Sequence, residues 1–228
     1  MQLWHVSCDQ EAFEKCRTEA KFPYIVALAR AVNALTFVRS VMDYLPKDVA
    51  TPAAKRDRLN SYLFGSAIMY EVLKLIRAMG RAFRDDESYR NGLGLLLGDP
   101  AARQIEQDHL KGVRHNAVFH FDVDVFRETV DKGVSMECLF LTANGKRRNG
   151  MNYAYADIVA AEILAGSPAG KEEFSTVLAD AAAKTDKLVT EFINHTEALI
   201  SYYLPIWGFT SSGFPAEGHA SPEGQLPE

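Results

Sequence analysis

The chain has 228 residues, of which 47% are hydrophobic and 24% charged, which is the size and composition of one globular domain, or of one domain with a tail. Its formal net charge of −5 argues against a dedicated, tight nucleic-acid binder, because such proteins need many Lys and Arg side chains on one face. No run reaches the roughly 18 consecutive apolar residues of a membrane-spanning helix, and the first residues lack the basic and apolar regions of a secretory signal.

Cysteine usage bears on the compartment in which the protein works. Cys8, Cys16 and Cys138 form no C-x-x-C pair and leave one thiol over in any disulfide scheme. A reducing compartment fits this pattern, so we expect a soluble, cytoplasmic protein with no membrane association.

Two amphipathic helices are predicted in the first half of the chain. Apolar residues recur at spacings of three and four over residues 25–45, with Pro23 in the first turn and Pro46 as the stop. A second stripe of the same kind covers residues 59–83. The polar residues 46–57 are predicted to connect the two helices.

A loop and a third helix are predicted next. Residues 85–98 are rich in Asp, Gly and Asn, which predicts a long loop. Asp99 and Pro100 then mark a helix start, because Asp can cap a helix and Pro is preorganised for its first position. This helix is predicted to run to His120.

The remaining sequence predicts a hairpin, a long helix and a tail. Side chains that alternate with a period of two favour a β-hairpin near 135–155, with the basic tip Lys146-Arg147-Arg148. The longest helix follows, with a seam that steps by four and three until Pro205 ends it. Residues 209–228 are rich in Gly, Ser and Pro and are predicted to be a disordered C-terminal tail. The fold class predicted for residues 1–208 is therefore all-α, a single helical bundle with an inserted β-hairpin.

One segment of the third helix concentrates basic and tautomeric side chains. Arg114 is followed by the polar residues His115 and Asn116 and, after five intervening residues, by His120, with Phe119 directly before it. In this pattern, and in the two long amphipathic helices that precede it, the chain resembles the HEPN domains. These are small helical bundles that carry an Arg, a polar neighbour, and a His four to six residues beyond the Arg.

The resemblance implies a metal-independent endoribonuclease, in which the ribose 2′-hydroxyl attacks the adjacent phosphate. The residue types suit that reaction. His120 can act as general acid and base, and Arg114 can stabilise the charge that builds on the phosphate oxygens. His115 or Asn116 would hold the sugar or phosphate, or orient His120. These four residues are the predicted catalytic residues.

The spacing of the motif constrains its geometry. Residues six apart on a straight helix are rotated by about 240° and separated by about 9 Å along its axis. Arg114 and His120 of one chain would then not face each other directly. Either the helix is deformed near Gly112, or two copies contribute to one cleft. HEPN proteins are generally dimers with both motifs at a shared interface, so the resemblance favours a symmetric homodimer.

The histidines and the motif arginine also have structural interpretations. Arg114 could be a surface arginine paired with Asp108 or Glu106, and His120 a hydrogen-bonded residue at a helix end. His195 lies in the apolar seam of the last helix, and we predict that it is a core or interface histidine.

Metal and cofactor sites are not predicted. The residues that could form a metal cluster are His109, His115, His120, Asp122 and Asp124. Their spacings of six and five suit ligands on a single helical face poorly. The sequence has no glycine-rich phosphate loop, no G-x-S-x-G elbow and no Cys/His nucleophile pair.

Three functional hypotheses follow from the sequence. The first is a HEPN-like endoribonuclease with RNA as its substrate, which the resemblance alone would place in stress response, phage defence or a toxin–antitoxin pair with a protein antitoxin. The second is a non-catalytic HEPN-like helical module that assembles with itself or with another protein. The third is an unrelated helical bundle in which the match of Arg114 and His120 is accidental.

Overall fold

The structure, a computed structural model, describes residues 2–44, 52–118 and 171–215, and, between the last two ranges, residues 124, 128, 142–143, 151–152 and 159–160. In chain order the elements are β1 (Gln2–Ser7), α1 (Gln10–Cys16), α2 (Phe22–Tyr44), α3 (Pro52–Met79), α4 (Glu87–Arg90), α5 (Leu93–Gly98), α6 (Pro100–Ile105), β2 (Thr142–Ala143), β3 (Met151–Asn152), α7 (Lys171–Ile206) and β4 (Thr210–Pro215). Helix α6 continues without a break into a first π segment, Glu106–Leu110, and a second π segment, Val113–Val118. The prediction of a mostly helical chain is confirmed.

Helix α3 runs through the centre of the bundle. It packs antiparallel to α2: Tyr24 meets Phe83 just beyond the end of α3, with ring centroids 6.1 Å apart, while Val38 lies against Gly65. It also contacts α5, α7 and both π segments. The apolar stripe predicted on residues 59–83 is therefore largely buried against the other helices. This packing brings the polar side chains of α3 next to those of the π segments.

The hydrophobic core lies where these helices meet. Its largest fully buried side chains are Phe83, Phe192, Leu28, Leu35, Met69, Leu73, Ile76, Met79, Leu93, Leu110 and Leu199. Burial of a side chain of this size contributes about 1.5–3 kcal/mol, so the core fixes how α2, α3 and α7 pack and thereby the position of the polar groups at its edge.

A buried polar cluster joins three parts of the chain at one end of the bundle. Lys21, just before α2, donates to Asp86 Oδ2 at 3.0 Å and to the hydroxyl of Tyr203 on α7 at 2.5 Å. The Tyr203 hydroxyl in turn donates to Asp86, which also caps α4 by accepting from the backbone N–H of Tyr89 at 3.1 Å. The side chain of Asp86 is only 5% exposed, so this carboxylate is a fixed structural group.

Two predicted connections contain helices. Helix α3 begins at Pro52, so the predicted connector 46–57 is wrong from that residue on, while residues 45–51 lie outside the described part of the chain. The predicted loop 85–98 is also wrong, because it holds α4 and α5. The composition of this segment suggests a loop, but α4 has a side-chain cap and α5 buries Leu93 and Leu96 in the core.

The two ends of the described chain form a sheet that the sequence did not predict. Strands β1 and β4 pair antiparallel in a register that runs from Gln2 opposite Pro215 to Ser7 opposite Thr210. The structure therefore differs from the predicted tail 209–228 at Thr210–Pro215. Residues 216–228 lie outside the described residues.

The predicted hairpin near 135–155 is described only in part. Thr142 and Ala143 pair antiparallel with Asn152 and Met151. The rest of the segment, including the basic tip at 146–148, lies outside the described residues, so the hairpin stays a prediction.

Helix α2 differs from the other helices in how much apolar surface it leaves exposed. By length and composition alone it could cross a membrane, and only 17% of its most apolar 18-residue window is buried. Core helices of soluble proteins pass the same test, so this finding gives no location for the protein.

Candidate functional site

The predicted site lies on the helix that follows Asp99, and this helix departs from α-helical geometry. Asp99 caps it as predicted, accepting from the backbone N–H of Ala101 at 3.0 Å. The two π segments then lie on either side of Gly112. Single π-helical turns in an α-helix are rare and occur frequently at functional sites. The helix is therefore deformed near Gly112, as the first of the two options requires. His120 lies outside the described residues, so a facing pair within one chain and a shared cleft between two copies both stay predictions.

Arg114 is anchored to helix α3. Its Nε donates to Oε1 of Glu71 at 2.8 Å, and its side chain is 22% exposed. The other carboxylate oxygen of Glu71 accepts from Lys74 at 3.0 Å. Partial burial opposes ionisation of Glu71, but the hydrogen bonds from Lys74 and Arg114 outweigh it and hold its pKa below the ordinary value. Glu71 is therefore an ionised carboxylate between two cations.

The pairing of Arg114 differs from the structural alternative considered from sequence. Among the described residues, its carboxylate partner is Glu71 on α3, forty-three residues earlier, and not Asp108 or Glu106 on its own helix. Glu106 is engaged by Arg77, which donates to both of its oxygens, one of them at 2.6 Å. These two ion pairs join α3 to the π-segment helix along one side.

His115 packs against the same part of α3. Its ring meets Tyr70 edge-on, with ring centroids 5.8 Å apart. The ammonium group of Lys74 lies 5.8 Å from the centroid of the same tyrosine ring. We refer to Tyr70, Glu71, Lys74, Arg114 and His115 as the α3–π cluster. It combines two cations, one carboxylate, an imidazole and a phenol at a partly exposed surface, a combination that suits the binding of a phosphate group.

His109 lies deeper, on the first π segment, and is not part of this cluster. Its Nε2 shares a hydrogen bond with the hydroxyl of Tyr62 on α3. Burial lowers the pKa of His109, because the imidazolium form would lose its hydration, so the ring is neutral near pH 7. Burial likewise raises the pKa of Tyr62. This pair is therefore a neutral hydrogen bond inside the bundle rather than an acid–base pair.

The four predicted catalytic residues are described to different extents. Arg114 and His115 are fully described and lie together against α3. Asn116 belongs to the second π segment, and His120 lies outside the described residues. Sequence reasoning missed Tyr70 and Glu71. Only the spacing of Glu71 and Lys74, three residues apart on a helix, could have indicated an ion pair there.

Other polar groups considered from sequence can be placed as well. Within the described ranges, no group of three or more His, Cys, Asp or Glu side chains is arranged to hold a metal ion. His120 and Asp122 of the proposed cluster lie outside those ranges. His195 is half-buried, and a Cβ placed on Gly92 would come 3.4 Å from its Nδ1. It thus packs closely against the backbone of the α4–α5 connection.

Comparison of the chain with models of protein families, with curated proteins and with solved structures gives no match.

Proposed function

We propose that this chain is a HEPN-like, metal-independent endoribonuclease in which Arg114 binds the scissile phosphate and His120 acts as general acid and base. The observation that supports the proposal is the anchoring of Arg114 by Glu71. A guanidinium held through Nε keeps a fixed orientation, and a fixed cation stabilises developing charge better than a mobile one. Lys74, bonded to the same carboxylate, adds a second cation beside it.

The reaction needs no cofactor. A histidine base removes the proton of the ribose 2′-hydroxyl as the oxygen attacks phosphorus, the bond from phosphorus to the 5′-oxygen breaks, and the leaving oxygen receives a proton from the acid form. The products are a 2′,3′-cyclic phosphate and a 5′-hydroxyl. Negative charge on the non-bridging oxygens rises during the attack, and this charge is what Arg114 would stabilise.

The proposal is tested with the purified full-length chain and a labelled single-stranded RNA in buffer that contains EDTA. We expect cleavage that leaves 2′,3′-cyclic ends and is lost, by at least 100-fold, in Arg114→Ala and in His120→Ala. Lys111→Ala is the matched control, because Lys111 is an exposed cation on the same helix, and it should keep most of the activity. Full activity in both motif variants, with circular dichroism unchanged, would reject the assignment.

A non-catalytic assembly module is the second candidate, and the same contact favours it. An arginine paired with a partly exposed carboxylate can simply join two helices. HEPN domains that keep the helical bundle need not keep catalysis. This candidate predicts that no RNA is cleaved at any pH, and that Arg114→Ala lowers the melting temperature without any effect on a nuclease assay.

A further inference from the structure

Helix α2 carries an exposed stripe that the described part of the bundle does not cover. Val26, Phe37 and Tyr44 are 52%, 69% and 89% exposed. Arg30 and Asn33 are exposed between them. These five residues, with the partly buried Val41, follow one another at spacings of three and four, so they share one face of the helix. We call them the α2 stripe.

The stripe lies opposite the face that α2 buries. The buried residues of the helix are Ile25, Leu28 and Leu35. Phe37 follows Leu35 by two residues, a rotation of about 200° around the helix axis. The helix is therefore apolar on two sides, and only one of them packs against the rest of the described bundle.

The polar residues of the stripe argue against lipid as its occupant. Arg30 and Asn33 lie in the middle of the exposed face, which a membrane-spanning helix would place near the bilayer centre. An arginine at that depth is energetically costly. Another protein surface can accept a cation at that position, in particular if it presents an aromatic ring.

We propose that the α2 stripe binds the α2 stripe of a second copy of this chain, antiparallel, across a two-fold axis at Phe37. Arg30 and Tyr44 each lie seven residues from Phe37, so this register places Arg30 of each copy against the ring of Tyr44 in the other. Asn33 and Val41, each four residues from Phe37, then face each other. The stripe is thus electrostatically complementary to itself, as a two-fold interface requires, with a cation–π pair on each side of the axis.

The area of the α2 stripe indicates how strongly two copies of the chain would associate. From Val26 to Tyr44 the stripe is about 27 Å long and, with its side chains, about 10 Å wide. Its projected area of about 300 Å² is smaller than the roughly 800 Å² per partner of a standard stable interface. We therefore expect a reversible dimer whose population rises with protein concentration. This inference does not depend on the proposed nuclease activity.

Sedimentation velocity of the full-length chain, from about 1 μM to about 1 mM, measures the association. We expect a monomer–dimer equilibrium that Phe37→Asp abolishes, because it places two carboxylates at the axis. Leu95→Asp is the control: Leu95 is 58% exposed on α5, so the same substitution there should leave the equilibrium unchanged. A chain that is monomeric throughout this range would overturn the proposal.

The register is tested by exchanging the two partners of the cation–π pair. Tyr44→Arg sets two arginines against each other and should weaken association at least tenfold, while the double variant Arg30→Tyr with Tyr44→Arg should restore it. Phe37→Cys should form a 37–37 disulfide under oxidation. Helix axes about 8–10 Å apart leave about 3.4–5.4 Å between the two Cα atoms at the two-fold axis, a range that overlaps the distances found in disulfides. Leu95→Cys should not cross-link to itself.

Two further outcomes would overturn the proposed dimer of α2 stripes. If the dimer persists in Phe37→Asp, its interface lies elsewhere on the molecule and the proposal is wrong. If the monomeric chain floats with vesicles of neutral and anionic phospholipids, and Phe37→Asp abolishes this, the stripe binds lipid. Either result leaves the nuclease assay of Arg114→Ala and His120→Ala as a separate question.

Discussion

At the scale of single residues, Glu71 is the described carboxylate that anchors Arg114. It accepts from Nε of Arg114 and from Lys74, and these hydrogen bonds hold its pKa below the ordinary value in spite of partial burial. Glu71 therefore stays ionised over the whole range in which a histidine titrates. It is a positioning residue in the proposed reaction, because it would act through Arg114.

Glu71→Gln keeps the shape of this side chain and removes its charge. We expect kcat for RNA cleavage to fall roughly tenfold, or about 1.4 kcal/mol, because Arg114 loses its charge-assisted hydrogen bond, with KM changed by less than a factor of about three. Glu71→Asp should recover part of kcat. Glu197→Gln, an exposed glutamate on α7, is the control.

If Glu71 has only a structural role, we expect a different result for the same variant. If Glu71 only joins α3 to the π-segment helix, Glu71→Gln should lower the melting temperature and leave kcat of the folded fraction unchanged. Measuring both quantities on the same preparation separates the two roles.

At the scale of elements, the end of α7 shows why one glycine is needed. Gly208 has φ of +79°, the left-handed conformation that ends many helices. Its N–H donates to the carbonyl of Pro205 at 3.0 Å, and the N–H of Phe209 donates to the carbonyl of Leu204 at 2.9 Å, which is the Schellman arrangement. This cap turns the chain from α7 toward β4.

Gly208→Ala should therefore destabilise the protein. The left-handed conformation costs a residue with a Cβ about 1–2 kcal/mol, and this Cβ would also lie 3.1 Å from that of Ala12. Urea unfolding should show a loss of about 2 kcal/mol. Gly98→Ala is the matched control, since its Cβ would meet nothing within 4 Å. Equal stability of the two variants would contradict this account of the cap.

At the scale of the whole molecule, the cluster of Lys21, Asp86 and Tyr203 makes stability depend on pH. Burial raises the pKa of Asp86, but hydrogen bonds from Tyr203, Lys21 and a backbone N–H outweigh it, so the pKa lies below the ordinary value. Burial lowers the pKa of Lys21, but its bonds to Tyr203 and Asp86 more than reverse this. Burial and the bond to Asp86 raise the pKa of Tyr203.

The directions of these pKa shifts determine the pH range over which the cluster stabilises the fold. A carboxyl whose pKa is lowered on folding stabilises the protein above its unfolded pKa, about 3.9, and loses this contribution as pH falls further. The raised pKa values of Lys21 and Tyr203 stabilise it below about pH 10, and that contribution is lost as pH rises through their folded values. The cluster should therefore stabilise the fold most between these limits.

Asp86→Asn tests this window. Near pH 7 it should cost about 3 kcal/mol, because it leaves Lys21 without its carboxylate and weakens the cap of α4. Thermal unfolding from pH 3 to pH 8 should show the gap between wild type and variant narrowing below about pH 4. Asp180→Asn, in an exposed pair with Lys184, is the control and should change stability little at any pH. A gap that stays constant from pH 8 down to pH 3 would show that the pKa of Asp86 is the same in the folded and unfolded chain, and would contradict this account.

Local sequence signals determined much of the helical framework. The apolar spacings on residues 25–45 and 59–83 placed α2 and most of α3, Asp99 and Pro100 marked the start of α6, and Pro205 lies one residue before α7 ends. Each of these signals acts within a turn or two of helix, through caps, fixed φ angles or one buried face. They can therefore be read without knowing what the helix packs against. Arg114 and His115 were singled out in the same local way.

Only the tertiary structure decided the features that join distant parts of the chain. The pairing of β1 with β4, the burial of Leu93 and Leu96 in a segment with the composition of a loop, and the anchoring of Arg114 by Glu71 all depend on contacts between residues far apart in sequence. No local spacing encodes such contacts, because they form only when the core has brought the helices together. The residue types at the candidate site could be read from the sequence, but the partner that orients Arg114 is set by the packing of α3.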